Sequence, residues 1–503
     1  MEKQIEQTSL KKQIKNYGID WEDIKKQVQY IKNGTNFITL ERPAKIDDGI
    51  ITLPNDLLNK LIELYENKIT SIKGVKFIPA SGAATRMFRF LNEFLLKFDP
   101  TKDNFNTWID SPENKDLKTF YNQLKDFPFY NKLQEVIINK YPSFNSLSEE
   151  KKFLLQVKTL INDPEFNYSS KPKGLIPFTQ KQNHVLTPVE LHIQEAEELF
   201  KSTDVHLHFT IDKTFIEEFK SKSTDYSAIE INWSQQEKQT DSLTFNQDNS
   251  VYLNENQSPV FRPGGHGALI KNLNSIRADL VFIKNIDNIS ANNKSLSIKY
   301  KKAIGGLLIQ LQKKLFKTID DLNHVDNFDP IIHFLSSELF IEIDSKVFNQ
   351  LTKLEKKTCL YNLLNRPLRI CAMVKNEGQP GGGPFWVKTQ MTSNLQIVET
   401  AQINTSNIQQ YEILKKATHF NPVDIVCSFK NHKNKYFDLN QFIDHNTGFV
   451  VEKNLQGQTI KAYELPGLWN GAMANWNTVF VEAPKETFTP VKTVNDLLKP
   501  EHL

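Results

Sequence analysis

Residues 75–98 read VKFIPASGAATRMFRFLNEFLLKF. The first five residues form an apolar run that is typical of a buried strand. A turn of small residues follows, from Ala80 to Ala84. Apolar residues then recur three and four positions apart up to Phe98, and Asp99-Pro100 closes the run, which predicts an amphipathic helix. A strand, a small-residue turn and a helix in this order predict the beginning of an α/β domain.

The same rhythm returns further along the chain. Thr187-Pro188-Val189-Glu190 is a capping box with proline at the first helical position, and it predicts a helix up to about Lys201. Residues 205–211 alternate between apolar and polar side chains, and Leu280–Ile286 is a continuous apolar run, so both segments are predicted strands. Alternating strands and helices predict an α/β fold with a mostly parallel, Rossmann-like sheet.

The chain divides into regions of different composition. Residues 1–70 are polar and predicted to be helical, and residues 71–430 are predicted to form the main domain. Within that domain, residues 101–170 are rich in Asn, Lys and Phe and are predicted to be a helical insertion. Residues 431–503 are predicted to form a small C-terminal unit.

Composition limits the classes of function. The chain has 503 residues, 39% hydrophobic and 24% charged, with a formal net charge of +3. This balance offers no basic excess for a nucleic acid or an anionic membrane. The three cysteines are far apart, which excludes a zinc ribbon and disfavours disulfides. With no apolar signal segment at the N-terminus and no membrane-spanning run, the sequence predicts a cytoplasmic protein.

Two segments are candidate phosphate sites. In the turn after the first strand, small residues allow backbone N–H groups to approach a phosphate, and Arg86 adds a charge; the candidate residues are Ala80, Ser81, Gly82, Ala83 and Thr85. A tight turn with Arg86 on the surface explains the same residues equally well. In Lys171-Pro172-Lys173-Gly174 the proline holds Lys173 in a fixed position to neutralise phosphate, although a loop with solvated lysines explains the same residues.

Two more segments are candidate ligand sites. Gly265 and Gly267 flank His266 and indicate either a close approach of the backbone to a ligand or a sharp turn. Asp287-Asn288 follows a predicted buried strand, where an acid is well placed to hold Mg²⁺ or, alternatively, to cap the next helix.

The order of these blocks resembles the UDP-sugar pyrophosphorylases, a group of nucleotide-diphospho-sugar transferases. Their glycine-rich loop ending in Thr-Arg and their Pro-Lys segment are matched by Ala80–Arg86 and Pro172-Lys173-Gly174. Their glycine-histidine turn, their Asn-x-Asp-Asn strand end and their late Pro-Val-Lys segment are matched by residues 263–267, 285–288 and 488–497. The chain also looks like a bacterial family known only as a domain of unknown function.

The resemblance implies a nucleotidyltransferase that joins a nucleoside triphosphate, UTP above all, to a sugar 1-phosphate and releases pyrophosphate. In this interpretation Arg86, Lys173 and the Gly82 loop bind the triphosphate, Asp287 holds Mg²⁺, and Lys492 binds the sugar phosphate. The resemblance also implies that Gln235 or Gln236 contacts the base and that Glu399 and Asn288 contact the sugar. It implies contacts with the nucleotide or the sugar for Gly265, His266 and Gly267. A glycosyltransferase, a non-catalytic nucleotide or sugar binder, and an interaction protein that uses residues 101–170 remain as alternatives.

Overall fold

The computed structural model describes residues 8–181, 184–201, 205–227, 229–379, 381–455 and 458–503. Its α-helices are Thr8–Tyr17, Trp21–Asn33, Asn55–Ile69, Arg89–Lys97, Phe105–Asp110, Lys115–Asn122, Tyr130–Lys140, Glu149–Asn162, Pro188–Phe200, Ile216–Ser221, Ile270–Asn274, Lys294–Asp321, Asp329–Glu338, Ser345–Asn349, Lys353–Leu364 and Ile408–Lys415. Its strands are β1 (Leu40–Pro43), β2 (Lys45–Ile46), β3 (Gly49–Ile51), β4 (Gly74–Pro79), β5 (Thr179–Lys181), β6 (His184–Leu186), β7 (His206–Thr210), β8 (Glu230–Ser234), β9 (Ser242–Phe245), β10 (Phe261–Arg262), β11 (Leu280–Lys284), β12 (Ile341–Ile343), β13 (Leu368–Lys375), β14 (Gly383–Lys388), β15 (Thr392–Val398), β16 (His419–Phe420), β17 (Asp424–Ser428), β18 (Phe449–Leu455), β19 (Gln458–Glu464) and β20 (Asn477–Glu482).

The chain forms two compact units, and each is assembled from separate stretches of sequence. Unit 1 contains Met1–Phe77, Ser234–Ile283 and Tyr300–Lys485. Unit 2 contains Ile78–Trp233, Lys284–Lys299 and Glu486–Leu503. The last eighteen residues of the chain therefore belong to a different unit from the residues just before them.

Unit 1 contains a large mixed sheet in the order β2-β3-β20-β13-β17-β11-β4. The pairs β2–β3, β3–β20, β20–β13 and β11–β4 are parallel, whereas β17 runs antiparallel to β13. In β13 and β17 nearly every residue is buried, because both faces of a central strand are covered. The apolar core of this sheet includes Phe77, Ile283 and Trp476.

Two smaller antiparallel sheets complete unit 1. Their strand orders are β1-β14-β15-β12 and β10-β9-β19-β18. The N-terminal helices pack on the second of these sheets, where Ile14, Ile24 and Val28 share a core with Leu243 and Phe245.

Unit 2 combines a short strand region with the helical insertion. The chain leaving β4 bonds to the end of β7, because the Ala80 N–H donates to the carbonyl of Thr210 at 2.8 Å. The helices between residues 105 and 162 surround one aromatic-rich core, which includes Phe94, Phe120 and Phe153. The tail contributes Val491, Val494 and Leu497 to the same core, so it is an integral part of unit 2.

The predicted α/β class is confirmed. The predicted strands at residues 75–79, 205–211 and 280–286 correspond to β4, β7 and β11. The predicted helix after Thr187 begins at Pro188, and the reciprocal capping bonds between Thr187 and Glu190 are present. The predicted insertion at residues 101–170 contains four α-helices and no strand. None of the described helices has both the length and the apolar character that a membrane span requires.

The large sheet is mostly parallel, as predicted, although β17 enters it antiparallel. The N-terminal region differs from the sequence prediction. Strands β1, β2 and β3 interrupt the predicted helical N-terminal region, whose first seven residues lie outside the described residues. These strands have only two to four residues and exist through pairing with distant segments such as Phe385 and Phe480, which local sequence cannot reveal.

Gly306 gives a test of packing in unit 1. A Cβ atom on Gly306 would lie 1.9 Å from the carbonyl oxygen of Leu61, because the helices Lys294–Asp321 and Asn55–Ile69 touch there. Helix propensity alone would make Gly306→Ala stabilising by about 1 kcal/mol. We expect instead a loss of about 1–3 kcal/mol and a lower melting temperature, because the backbones must separate. Gly82→Ala is the matched control, since nothing lies within 4 Å of its added Cβ. A raised melting temperature in Gly306→Ala would contradict this packing.

Candidate functional site

The first candidate site lies in unit 2 around the carboxylate of Asp287. Asp287 follows the end of β11, and its Oδ2 accepts a hydrogen bond from Lys173 Nζ at 2.8 Å. Lys492 Nζ donates to the same oxygen at 3.0 Å. Lys173 Nζ also donates to the carbonyl of Val491 at 2.8 Å. Three predicted site residues from distant parts of the sequence therefore meet at one oxygen atom.

Burial and charge oppose each other at this carboxylate. Burial by itself raises the pKa of Asp287, which is only 8% exposed, but the ammonium groups of Lys492 and Lys173 outweigh it and hold the pKa below its usual value. Burial lowers the pKa of Lys173, as do the positive charges of Lys492 and Arg86, while Asp287 opposes this shift. The side chain of Lys492 is 56% exposed and that of Lys173 is 13% exposed, so Lys492 is the lysine that can turn more freely toward a ligand.

Backbone contacts fix the tail against the end of β11. The Val491 N–H donates to the carbonyl of Asp287 at 3.0 Å, and the Thr489 N–H donates to Oδ1 of Asn288 at 3.0 Å. Asn288 is 1% exposed, and its amide oxygen positions the tail. The predicted contact of Asn288 with a sugar stays a prediction, and this burial does not favour it.

The small-residue loop pairs with the Pro-Lys segment. The Lys173 N–H donates to the carbonyl of Gly82 at 3.1 Å, and the Ala84 N–H donates to the carbonyl of Lys171 at 2.9 Å. In the described part of the chain, the N–H groups of Ser81, Gly82 and Ala83 donate to no other group. Consecutive free N–H groups beside a lysine are the usual backbone arrangement for binding an anion.

Arg86 and Thr85 follow this loop. Arg86 is exposed, and within the described ranges its side chain makes no ion pair or hydrogen bond. Thr85 Oγ1 donates to the carbonyl of Ser169 at 2.9 Å. The predicted helix was expected directly after the loop, but a short 3-10 turn at Ala84–Arg86 comes first and the α-helix begins at Arg89. The loop therefore offers N–H groups and Arg86 to a ligand without the end of an α-helix.

The side chains around Asp287 determine which ligands a magnesium ion would have there. No group of three His, Cys, Asp or Glu side chains that could hold a metal is found among the described residues. Magnesium is commonly held by one or two carboxylates together with substrate phosphates. Asp287 suits such a shared site, with the remaining ligands supplied by a phosphate group and water. It does not form a metal site on its own.

The second candidate site lies in unit 1 around His266. Nδ1 of His266 accepts the N–H of Leu468 at 3.0 Å, which leaves the proton on Nε2. Nε2 lies 3.4 Å from Oε1 of Glu399. The imidazole ring stacks on the indole of Trp469, with ring centroids 4.2 Å apart. His266 is therefore held on both nitrogens and on one face.

Glu399 and Asn470 extend this second site. Asn470 Nδ2 donates to Oε1 of Glu399 at 2.7 Å. Burial raises the pKa of Glu399, but the bonds from His266 and Asn470 outweigh it and lower the pKa. Oδ1 of Asn470 is buried and has no hydrogen-bond partner among the described residues. Arg369, which is fully buried in β13, donates to the carbonyl of Trp469 at 2.6 Å and so positions this turn.

The glycines beside His266 are explained by the protein itself. A Cβ on Gly267 would lie 2.2 Å from the carbonyl oxygen of Pro466. Gly265 has φ +79, a conformation that favours glycine, and an added Cβ there would meet Glu464 at 3.1 Å. Of the two explanations that the sequence left open for these glycines, the structure supports the sharp turn packed against residues 464–467. The predicted contacts of Gly265 and Gly267 with a nucleotide remain predictions.

Gln235 lies beside the helix that follows the glycine turn. Asn272 Nδ2 donates to the carbonyl of Gln235 at 2.9 Å, and the side chain of Gln235 is exposed. Gln236 is engaged within unit 1, because its Nε2 lies 3.4 Å from Oδ1 of Asp241. Gln235 is therefore the one of the two with a side chain available to a ligand.

The sequence interpretation missed some contacts and one cavity. The density of Trp and Asn in residues 464–477 is typical of sugar recognition and equally of a buried aromatic cluster, and only the structure pairs Asn470 with Glu399 and Trp469 with His266. Nothing in the sequence singled out Arg369. In unit 2 a cavity of about 590 Å³ is lined by Lys171, Leu175 and Glu218, and none of the predicted site residues lines it.

One protein family includes nearly the whole chain. The model of the family described as domain of unknown function (DUF4301) matches residues 7–503. The chain belongs to the DUF4301 family. No match is found among the curated proteins.

Solved structures give further similarities for this DUF4301 chain. A UDP-N-acetylglucosamine pyrophosphorylase from Trypanosoma brucei, in complex with an inhibitor, is 10% identical with a TM-score of 0.47, covering 94% of this chain and 74% of that one. A mutant UDP-glucose pyrophosphorylase from Leishmania major, in complex with UDP-Glc, is 12% identical with a TM-score of 0.44, covering 97% and 77%. A UDP-glucose phosphorylase from Trypanosoma brucei is 12% identical with a TM-score of 0.45, covering 97% and 76%. Similarity of this extent does not establish an activity, which must be argued from the residues of the DUF4301 chain itself.

The ion pairs of Asp287 predict how stability depends on pH. The pKa of Asp287 is lowered in the folded chain, so its contribution is fully present above its unfolded pKa of about 3.9 and is lost as the pH falls through the folded value. We expect Asp287→Asn to cost about 1–3 kcal/mol at pH 7, because two ammonium groups lose their partner, one of them half-exposed. The measurement is the melting temperature from pH 7 down to pH 3.

The matched control for this experiment is Asp326→Asn. Asp326 pairs with Lys353 on the surface, where the side chain of Asp326 is 89% exposed, so its loss should hardly change the melting temperature. The difference between the original chain and Asp287→Asn should shrink below about pH 4. Equal changes of the melting temperature for the two substitutions at pH 7 would show that the Asp287 ion pairs stabilise the fold no more than an exposed ion pair does.

Proposed function

We propose that the chain is a nucleotidyltransferase that joins UTP, or another nucleoside triphosphate, to a sugar 1-phosphate and releases pyrophosphate. The observation that carries the proposal is the convergence of Lys173 and Lys492 on Asp287. The loop, the Pro-Lys segment, the strand end and the Pro-Val-Lys tail are the blocks whose order resembles the UDP-sugar pyrophosphorylases. In unit 2 the loop bonds to the Pro-Lys segment, and the Pro-Lys segment, the strand end and the tail bond to one another.

The charge of this group suits a polyanion. Arg86, Lys173 and Lys492 are three cations, and Asp287 is the carboxylate to which two of them bond. Phosphoryl and nucleotidyl transfer need little covalent chemistry from a protein, and positioning with charge neutralisation supplies most of the acceleration. A cationic cluster next to free backbone N–H groups supplies both.

The residues have separate roles in the proposed reaction. Arg86, Lys173 and the N–H groups of Ser81, Gly82 and Ala83 hold the triphosphate. Lys492, the more exposed of the two lysines, holds the sugar phosphate. An oxygen of the sugar phosphate attacks the α-phosphorus, the new P–O bond forms, and the bond to the β-phosphate oxygen breaks to release pyrophosphate. Asp287 holds the two ammonium groups close together and oriented before substrate arrives.

Magnesium fits this scheme as a partner of the substrate. Asp287 is the protein ligand that would hold it, and the bound ion would neutralise charge on the phosphate oxygens. Lys492 would then turn from the carboxylate to a phosphate oxygen, while Lys173 would bind phosphate from its fixed position. Exchange of one anionic partner for another keeps both ammonium groups paired throughout.

The deciding experiment is pyrophosphate release with Mg²⁺, with each common nucleoside triphosphate offered against a panel of sugar 1-phosphates. We expect release that requires one particular pair of substrates. Lys173→Ala should reduce turnover by roughly 10²–10³-fold, the usual effect of removing one charged or oxyanion-binding donor. Release that is absent for every pair, while a triphosphate still raises the melting temperature, would refute the transferase and indicate a nucleotide-binding protein.

Lys171→Ala is the matched control for this experiment. Lys171 lies two residues before Lys173 on the same segment but pairs with Glu218 at 2.9 Å and does not bond to Asp287. Its substitution should leave turnover within about threefold of the original chain, since it removes a half-exposed ion pair only. Equal losses for Lys171→Ala and Lys173→Ala would show that the segment acts through its fold and not through Lys173.

The group in unit 1 is proposed to recognise hydroxyl groups. Glu399 is an ionised acceptor beside a stacked aromatic pair, and Asn470 has a buried amide oxygen available. We expect Glu399→Gln to weaken the binding of a free sugar by roughly 10–100-fold, the cost of a hydrogen bond to a charged group, with little change in the binding of the triphosphate. Glu412→Gln, on an exposed helix, is the control. Weaker binding of the triphosphate alone would assign this group to the nucleotide instead.

A further inference from the structure

A cavity of about 550 Å³ lies in unit 1, away from every predicted site residue. It is lined by the helix Lys353–Leu364, the residues that flank this helix and the turn between β14 and β15. Most of the lining is apolar and includes Leu351, Leu354, Leu363 and Met391. Leu354 is 75% exposed, which is unusual for a large apolar side chain.

Arg366 brings a positive charge to this apolar cavity. Its Nε donates to the carbonyl of Asn362 at 2.9 Å, and in the described ranges the guanidinium forms no ion pair with a carboxylate. Glu355 also lines the cavity, but its carboxylate accepts both the N–H and the hydroxyl of Thr352 and caps the helix. Burial lowers the pKa of Arg366. The side chain of Arg366 is half-buried, and a guanidinium that lines an apolar cavity without a carboxylate partner can bind an anion that a ligand supplies.

The lining defines the chemistry of such a ligand. Arginine binds carboxylates through two parallel hydrogen bonds, and the surrounding leucines and methionine favour a hydrocarbon. The cavity volume lies within the roughly 300–1,000 Å³ of pockets that bind small molecules. We propose that this cavity binds a small amphiphilic carboxylate, with the carboxylate on Arg366 and the hydrocarbon chain along Leu351, Leu354 and Met391. The ligand would be an effector and not a substrate, because none of the candidate catalytic residues lines the cavity.

Cys359 provides a direct readout of occupancy. Its Sγ lies in the cavity, 3.2 Å from Sδ of Met391. Cys371 and Cys427 are both 0% exposed, so Cys359 is the thiol that a reagent reaches in the folded chain. A molecule in the cavity should therefore protect Cys359 from alkylation, and this readout does not depend on any activity.

The experiment measures the rate at which N-ethylmaleimide alkylates the full-length chain, followed by intact mass, with octanoate as the probe. We expect octanoate to slow alkylation by about tenfold or more at saturation. Octan-1-ol and octylammonium test the carboxylate, and propionate tests the hydrocarbon; all three should protect far less at the same concentration. Cys359→Ser should abolish the labelling and so confirm the site. Equal protection by octanoate and octylammonium, or no protection by octanoate, would overturn the proposal.

Two variants test the role of Arg366. Arg366→Gln should weaken octanoate protection by roughly 10–100-fold, the usual worth of hydrogen bonds to a charged group, with the melting temperature measured to confirm folding. If Arg366→Gln does not fold, Leu354→Asp is measured in its place. Leu354 is exposed, and a negative charge there should repel the carboxylate and weaken octanoate protection. Unchanged protection in the folded variant would show that the guanidinium does not hold the carboxylate and would refute the assignment.

Discussion

Asp287 carries a negative charge in a place where only 8% of the residue is exposed, and a buried carboxylate requires partners. Those partners lie 114 and 205 residues away along the chain, at Lys173 and Lys492. The tail therefore has to return to the end of β11, and the backbone bond from Val491 to Asp287 holds it there. These pairs join the eighteen C-terminal residues to a part of unit 2 that ends before residue 300, and Val491, Val494 and Leu497 pack into the core of the same unit. A chain that lost the Asp287 pairs would lose the candidate site, while the apolar contacts of the tail would remain.

The same interaction prepares the cations for a ligand. Two ammonium groups bonded to one carboxylate oxygen stay close together at a cost that the carboxylate offsets. When a phosphate arrives it offers several oxygens in place of one, and charge-assisted hydrogen bonds to phosphate are among the strongest in proteins. Because Lys173 is buried and Lys492 is half-exposed, one cation is fixed and the other can move. This difference supports separate tasks for the two lysines, with Lys173 as a fixed support and Lys492 as the group that meets an incoming substrate.

Local patterns predicted the elements that local forces determine. The apolar run of β4 and the capping box at Thr187 both appear where the sequence placed them, because burial and capping act over a few residues. The order of the motif blocks also predicted that Lys173, Asp287 and Lys492 belong to one site. Sequence could not predict the contacts of His266, whose partners at residues 399 and 468 become neighbours only in the folded chain. The short strands β1 to β3 were missed for the same reason.

The two small-residue turns show why composition alone cannot separate a binding loop from a packed turn. Both contain glycine within four positions of a charged or titratable residue, and the residues of each turn allowed both a ligand site and a structural turn. At Gly267 an added Cβ would overlap the backbone of Pro466, so the protein itself occupies the space. At Gly82 an added Cβ would meet nothing, and the neighbouring N–H groups have no partner among the described residues. Ser81, Gly82 and Ala83 are exposed, so their N–H groups bond water in the free chain and remain available to a phosphate. The loop with the single glycine is therefore the stronger candidate of the two for a ligand contact.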